Sequence, residues 1–313
     1  MIHLTQGHEK SIGLEVLFKS LLMISATQTK GQLTLYISKE ALVENLAFFH
    51  FDYSLIGNQF LFEGHEIALV FLDRSSSTPL STQALEQSLA RIQKNDILLT
   101  LPTSKDQLIF QNQIVLGHTE FLRDYFNKPT IPMVFKGPEL LFLLLSDHIP
   151  LNQVSSALTL ELVVGKVRAT LDGLEHHFEK PLEVYFAGIN PHAGEGGLFG
   201  SEDQILSQAI NDLKASYPGI EFRGPVSGDS LHHLFDSDKK QLFVYAYHDQ
   251  ALPLFKSKQV FWGLNISFGL PFLRLSVDHG TAFDLWGKNK ANFLGCYDVL
   301  KTALRINKRH EHK

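Results

Sequence analysis

The chain has 313 residues, 44% of them hydrophobic and 19% charged, with a formal net charge of −5. That length buries a large core, enough for one or two domains, and no basic block offers a stripe that nucleic acid would track. The single cysteine, Cys296, excludes an intrachain disulfide and suits a reducing, cytoplasmic setting. Met1 to Lys10 contains no apolar segment of the secretory kind, and the apolar run Leu140 to Leu145 is far short of the ~20 residues that cross a bilayer. Neither export nor a membrane partner is expected.

In chain order, the pattern predicts a first strand, a helix over Ser11 to Met23, and a strand within Gly31 to Ile37, where apolar residues alternate. A strand over Glu66 to Leu72 follows, then a turn-forming loop Arg74 to Pro79, a helix over Thr82 to Gln93 and a strand over Asp96 to Leu101. Further strands are predicted at Ile131 to Phe135, Leu140 to Leu145, Leu182 to Ala187, Leu242 to Tyr247 and Gly263 to Phe268. Several are apolar on both faces, as parallel strands between helices are. Between them lie a long helix over Val154 to Phe178 and a helix over Ser201 to Ser216, opened by Ser201-Glu202-Asp203. The C-terminal run Lys308 to Lys313 reads as a frayed, solvated tail. Alternating strands and helices, with no repeat and no Pro- or Gly-rich linker, predict an α/β fold with a mostly parallel or mixed sheet.

No Gly-x-Gly-x-x-Gly follows the first strand and no Walker A sequence is present, so the usual dinucleotide fingerprint is missing. The most unusual segment is Gly188-Ile189-Asn190-Pro191-His192-Ala193-Gly194-Glu195-Gly196-Gly197-Leu198-Phe199-Gly200, between a predicted strand and a predicted helix. Ligands of open α/β sheets bind in such loops, beyond the carboxyl ends of strands. Its glycines let the backbone approach a ligand, and His192 and Glu195 add an imidazole and a carboxylate. Tyr247-His248-Asp249-Gln250 and Ser146-Asp147-His148-Ile149-Pro150-Leu151 also follow apolar strands. His148, His192 and His248 therefore occupy three strand ends and are a candidate metal site; spacing alone does not show that they meet. Gly117-His118-Thr119-Glu120 offers imidazole and hydroxyl groups, and Lys256, Asn265 and Arg274 are the candidate ligands of a phosphate or carboxylate. Asp278 and His279 also have a structural reading, and His176-His177 and His232-His233 read as helix or loop surface.

The segments Asn190 to Gly197, Tyr247 to Gln250, Gly117 to Glu120 and Ser276-Val277-Asp278-His279-Gly280-Thr281-Ala282 resemble the signature motifs of the 4-hydroxythreonine-4-phosphate dehydrogenase family, in the family's order, over roughly residues 95 to 290. The resemblance implies a fold similar to isocitrate and isopropylmalate dehydrogenases: two α/β subdomains with mixed sheets flanking a cleft, here 1–125 with 270–313 and 126–269. It implies NAD as cofactor, although no NAD contact can be assigned, and a divalent metal (zinc, cobalt or magnesium) on His148, His192 and His248. It also implies His118 and Lys256 as catalytic residues, substrate contacts from His118, Thr119, Lys256, Asn265 and Arg274, and a homodimer with the active site at its interface. The implied reaction is oxidation and decarboxylation of 4-phosphooxy-L-threonine to 3-amino-2-oxopropyl phosphate, a step toward pyridoxine and pyridoxal phosphate. Alternatives are a related dehydrogenase of a phosphorylated sugar acid such as 4-phosphothreonate, a metal hydrolase that needs no NAD, and a non-catalytic ligand-binding homologue. Two departures stand out. The first loop reads Gly7-His8-Glu9-Lys10-Ser11-Ile12-Gly13-Leu14-Glu15 where the family has Gly-Asp-Pro-Ala-Gly-Ile-Gly-Pro-Glu, and Asp147 stands where a threonine usually precedes the first metal histidine.

Overall fold

The structure is a computed structural model that describes residues 1–49 and 51–311, the last by its backbone alone. The chain forms two compact units, Met1–Phe126 with Phe261–Leu264 and Leu270–Lys313, and Asn127–Val260 with Asn265–Gly269. In the first unit, strands β1 (Ile2–Thr5), β2 (Leu33–Ile37), β3 (Tyr53–Ile56), β4 (Gln59–Phe62), β5 (His65–Phe71) and β6 (Ile97–Thr100) enter one sheet, while β7 (Ile109–Phe110) and β8 (Gln113–Ile114) pair separately. β1 lies between β2 and β6, parallel to both, and every one of its residues is buried. Burial on both faces is why the aliphatic run Ile97 to Leu99 shows no alternation. Helix Leu80–Leu89 packs on β1 and β2, helix Gly13–Leu22 against helix Lys39–Leu46, and helix His118–Tyr125 against β7. Ser38 starts helix Lys39–Leu46 by accepting a hydrogen bond from the Ala41 amide.

In the second unit the strands are β9 (Met133–Lys136), β10 (Leu141–Leu144), β11 (Glu183–Ala187), β12 (Glu221–Val226), β13 (Gln241–Tyr245) and β14 (Leu264–Ser267), in the order β12-β11-β13-β10-β9-β14. β12, β11, β13 and β10 run parallel, and β9 is antiparallel to β10. Phe142 and Leu144 join Tyr185, Phe243, Tyr245 and Phe255 in one core cluster. Period-two geometry sends Leu143 and Val244 to the other face, where they are also buried. Helices Leu160–His177 and Asp203–Ser216 bury Val163, Val167, Leu171, Leu206, Ile210 and Leu213, the one-sided spacing of amphipathic helices.

The chain returns to the first unit as β15 (Leu273–Val277), parallel to β6, and ends in helix Leu294–Glu311. The first unit's sheet is thus parallel through β15-β6-β1-β2-β5, with β4 and β3 antiparallel at one edge.

Three predicted elements differ. The long helix over Val154 to Phe178 is two, Val154–Ala157 and Leu160–His177, because Thr159 is extended and its side chain caps a fresh helix at the Leu162 amide. The predicted frayed tail is helical through Glu311; His312 and Lys313 lie outside the described residues. Helix Asp203–Ser216 has no side-chain cap: its N-cap residue is Glu202, whose carboxylate accepts from Ser155 Oγ and Asn190 Nδ2. Among the described residues, no helix is long and apolar enough to cross a membrane.

Candidate functional site

In the second unit, the three strands β10, β13 and β11 are neighbours and run parallel, so their carboxyl ends share one edge. His148, His248 and His192 follow those three ends. The His148 and His248 ring centres are 5.6 Å apart. With metal–nitrogen bonds of about 2.1 Å, two imidazoles on one ion place their ring centres roughly 5 Å apart, so this pair fits a shared cation. Within one chain, among the described residues, the ligand nitrogens of all three histidines do not gather within 4.8 Å of one another. His248 is half-buried at the start of helix His248–Lys258, its Nδ1 3.3 Å from Asp249 Oδ1. Gln250 fixes this corner: its Oε1 accepts from the Ala246 amide at 2.8 Å and its Nε2 donates to the Gly188 carbonyl at 2.8 Å, tying the end of β13 to the end of β11.

The loop after β11 is a turn of left-handed backbone: φ is 51° at His192, 53° at Ala193, 77° at Gly194, 42° at Glu195 and 68° at Gly196. Left-handed backbone costs an L-residue about 1–2 kcal/mol, and three of these five carry side chains, so the surrounding structure must hold the turn. Asp203, 5% exposed, does so by accepting from the Ile189 amide at 2.7 Å, the Asn190 amide at 3.2 Å and Asn190 Nδ2 at 3.0 Å. A Cβ at Gly194 would sit 3.1 Å from Asp203 Oδ2, so glycine serves both the left-handed φ and the close approach. Asp229, in the loop after β12, lies within electrostatic reach of His192, and hydrogen bonding from Ser227 is the main cause holding its carboxyl below the usual range. Just before His148 in the chain, Asp147 Oδ1 lies 3.6 Å from Nζ of Lys166 on helix Leu160–His177, which donates to the Leu145 carbonyl at 2.8 Å, with the Lys166 and Asp147 side chains almost fully enclosed.

In the first unit, Arg274 on β15 is 2% exposed and donates through Nε and Nη2 to Thr100 Oγ1 at 3.2 and 2.7 Å. Burial lowers it to about 9, which leaves a cation at neutral pH. His118 opens helix His118–Tyr125; burial first, then the Arg274 charge, pushes its imidazole well below its ordinary value, so it is neutral at physiological pH. Thr119, beside it, is buried. The first loop is packed against the segment after β15. Gly7, at φ +67°, lies so close to the Pro102 carbonyl that a Cβ has no room. The Ile12 amide donates to the Thr281 carbonyl at 3.0 Å, the His8 ring meets Phe283 edge-on at 4.8 Å, and Lys10 Nζ lies 6.0 Å over Trp286.

The profile of the family described as pyridoxal phosphate biosynthetic protein PdxA matches residues 73–303. The chain belongs to this family. A curated 4-hydroxythreonine-4-phosphate dehydrogenase from Bradyrhizobium diazoefficiens is 34% identical over 241 residues, 74% of this chain and 69% of the relative. Its counterpart from Neisseria meningitidis serogroup A is 36% identical over 192 residues, and the match spans 61% of this chain and 58% of the relative's length. Among solved structures, a 4-hydroxythreonine-4-phosphate dehydrogenase from Klebsiella pneumoniae superposes with a TM-score of 0.78 at 25% identity, covering 98% of this chain and 99% of that one. An isocitrate dehydrogenase from Methylococcus capsulatus shares the fold alone, with a TM-score of 0.54 at 14% identity over 99% of this chain and 85% of that one. The α/β, isocitrate dehydrogenase-like architecture expected from the motifs is therefore the one observed.

Within this PdxA-family chain, the structure brings His148 close to His248 and His118 close to Arg274. Lys256 lies eight residues beyond His248 on the same helix, and Asn265 lies on β14. Sequence reasoning missed Asp203, Lys166 and the stapling role of Gln250. In sequence Asp203 looks like part of a helix-start signature; a carboxylate just after a glycine-rich loop is the signal that it serves the loop instead.

Proposed function

We propose that the chain is a divalent-metal-dependent, NAD-linked dehydrogenase that oxidises and decarboxylates 4-phosphooxy-L-threonine to 3-amino-2-oxopropyl phosphate, in the synthesis of pyridoxal phosphate. Family membership and the names of its relatives support the reaction. The observation that carries the metal assignment is the placement of His148, His248 and His192 at the carboxyl ends of three adjacent parallel strands, two of them at metal-sharing distance. Three imidazoles suit zinc or cobalt, and with carboxylates nearby magnesium is also accommodated. When bound, such an ion polarises the substrate's hydroxyl oxygen and the ketone derived from it, and NAD takes up the hydride. In this reading His192 completes the set either within the chain or from the second subunit of a homodimer.

The chain's own residues do the rest. His148, His192 and His248 hold the cation. Arg274, a buried guanidinium fixed by Thr100, pairs with the substrate's phosphate or carboxylate, together with Lys256 and Asn265. His118, kept neutral by its surroundings, has a free pair of electrons on one ring nitrogen and a proton on the other. It can accept the hydroxyl proton or orient the group that does, with Thr119 beside it. Lys256 supplies a proton to the carbon that loses carbon dioxide. Decarboxylation releases the carboxylate carbon as carbon dioxide and leaves its electron pair on that carbon, so one proton balances the step.

The test is NADH formation by purified protein with metal across phosphorylated hydroxy acids, 4-phosphooxy-L-threonine and 4-phosphothreonate included. Turnover of the first with release of the amino ketone supports the reading, and preference for the second assigns the chain to the related sugar-acid dehydrogenases. Turnover without NAD points to a hydrolase.

A further inference from the structure

We propose that Asp203 is the positioning residue for His192: its buried carboxylate clamps the left-handed turn Pro191–Gly197 and so presents the imidazole for metal. This rests on the metal reading above. The turn is unfavourable for His192, Ala193 and Glu195, each at positive φ, so something outside it must hold it in place. The hydrogen bonds at its root point to one group. Both carboxylate oxygens of Asp203 are committed to the root of the loop, Oδ1 to the Ile189 amide and Oδ2 to the Asn190 amide and side chain. Oδ2 is also the atom nearest a Cβ built at Gly194, in the middle of the turn. Asn190 extends the clasp, donating to Glu202 Oε2 at 2.8 Å. The carboxylate sits at the first residue of helix Asp203–Ser216, a rigid element whose Leu206, Ile210 and Leu213 are buried in the core. The turn is thereby referenced to the core and not to solvent. The N-cap residue is Glu202, which makes no side-chain cap, and the Asp203 carboxylate one residue on bonds the loop root through both oxygens. Groups that orient a metal ligand from outside the coordination sphere typically account for 10–100-fold in metal affinity.

The experiment titrates metal-free protein with Co2+, followed by calorimetry and by the visible absorption of the bound ion, alongside the denaturant unfolding midpoint of each variant. Asp203→Asn puts an amide N–H against backbone donors and opens the clasp with no change in size. Asn190→Ala removes the side-chain contact while leaving the carboxylate its two amides. Both variants are expected to bind Co2+ about 10–100-fold and several-fold more weakly, respectively, with altered Co2+ spectra, while keeping cooperative unfolding. His192→Ala sets the limit of full loss of that ligand. Wild-type affinity and spectrum in either folded variant overturn the proposal and leave the metal site standing. Wild-type protein that binds no Co2+ overturns the metal reading and the proposal with it. If Asp203→Asn does not fold, Asn190→Ala decides.

Discussion

Replacing Lys166 with methionine removes the cation from a pair whose side chains are 3% and 4% exposed. Lys166 Nζ and Asp147 Oδ1 are 3.6 Å apart, which corresponds to about 4–5 kcal/mol of attraction at an effective dielectric constant of about 20. Desolvation offsets much of this in the intact protein, but the substitution leaves the enclosed Asp147 carboxylate without that cation, and breaking a buried pair in this way costs about 3–5 kcal/mol. The hydrogen bond to the Leu145 carbonyl, 2.8 Å long, adds about 1 kcal/mol. Lys166→Met is therefore expected to lower the denaturant unfolding midpoint of the second unit by the equivalent of at least about 3 kcal/mol. Adding Asp147→Thr, the residue usual in the family, removes that carboxylate. The double variant is expected to recover a large part of the loss, giving a coupling of about 1–3 kcal/mol. Because Asp147 adjoins His148, Lys166→Met is also expected to weaken Co2+ binding. Single-variant losses that simply add, or a loss below about 1 kcal/mol for Lys166→Met, would refute the claim that the pair is buried and coupled.

Acid lability follows from three histidines. Burial is the first cause lowering His3, His65 and His118 from the ordinary 6.5, so the unfolded chain takes up their protons first. The stability they contribute is complete above about 6.5 and is lost as pH falls from there toward their folded values. The unfolding midpoint should drop on acidification through that window, and His65→Asn should flatten the slope; a midpoint that rises contradicts the assignment. Arg274→Ala is expected to raise KM for the phosphorylated substrate by roughly 30-fold or more, the loss of about 2–5 kcal/mol from a desolvated charged partner, and an unchanged KM removes Arg274 from the site. His192→Ala and His248→Ala should each abolish turnover with folding intact by circular dichroism. Restoring Asp, Pro and Ala at His8, Glu9 and Lys10 should shift the kcat/KM ratio between 4-phosphooxy-L-threonine and 4-phosphothreonate, because His8 and Lys10 pack on Phe283 and Trp286 at the carboxyl end of β15. An unaltered ratio makes that loop neutral for specificity.

The second unit's parallel core was legible because β10, β11 and β13 are apolar runs with both faces buried, and such runs announce themselves without periodicity. That legibility extended to the loops after them, and so to His148, His192 and His248. The β3–β4 hairpin was passed over although Gly57-Asn58 separates its strands, since Tyr53 to Ile56 is largely exposed and lacks a clean alternation. β12 escaped because Gly224-Pro225 lies inside it, a pairing tolerated only at an edge, which is where β12 sits. The left-handed turn was out of reach: nothing in Pro191 to Gly197 says that His192 and Glu195, and not the glycines alone, take positive φ. Asp203 bonds residues 13 and 14 positions back, and Gln250 a carbonyl 62 positions away. Such partners are set by tertiary packing, which local sequence does not encode.

Metal-dependent NAD-linked oxidation at the three strand-end histidines can be measured by stripping the purified protein with chelator and restoring Co2+, Zn2+ or Mg2+ while following NADH and carbon dioxide from 4-phosphooxy-L-threonine. No turnover is expected in the stripped protein, recovery is expected on adding metal, with NADH and carbon dioxide formed in equal amounts, and no recovery is expected in His248→Ala. Undiminished turnover in the stripped protein, or recovery in His248→Ala equal to that of the wild type, would contradict metal dependence at these histidines.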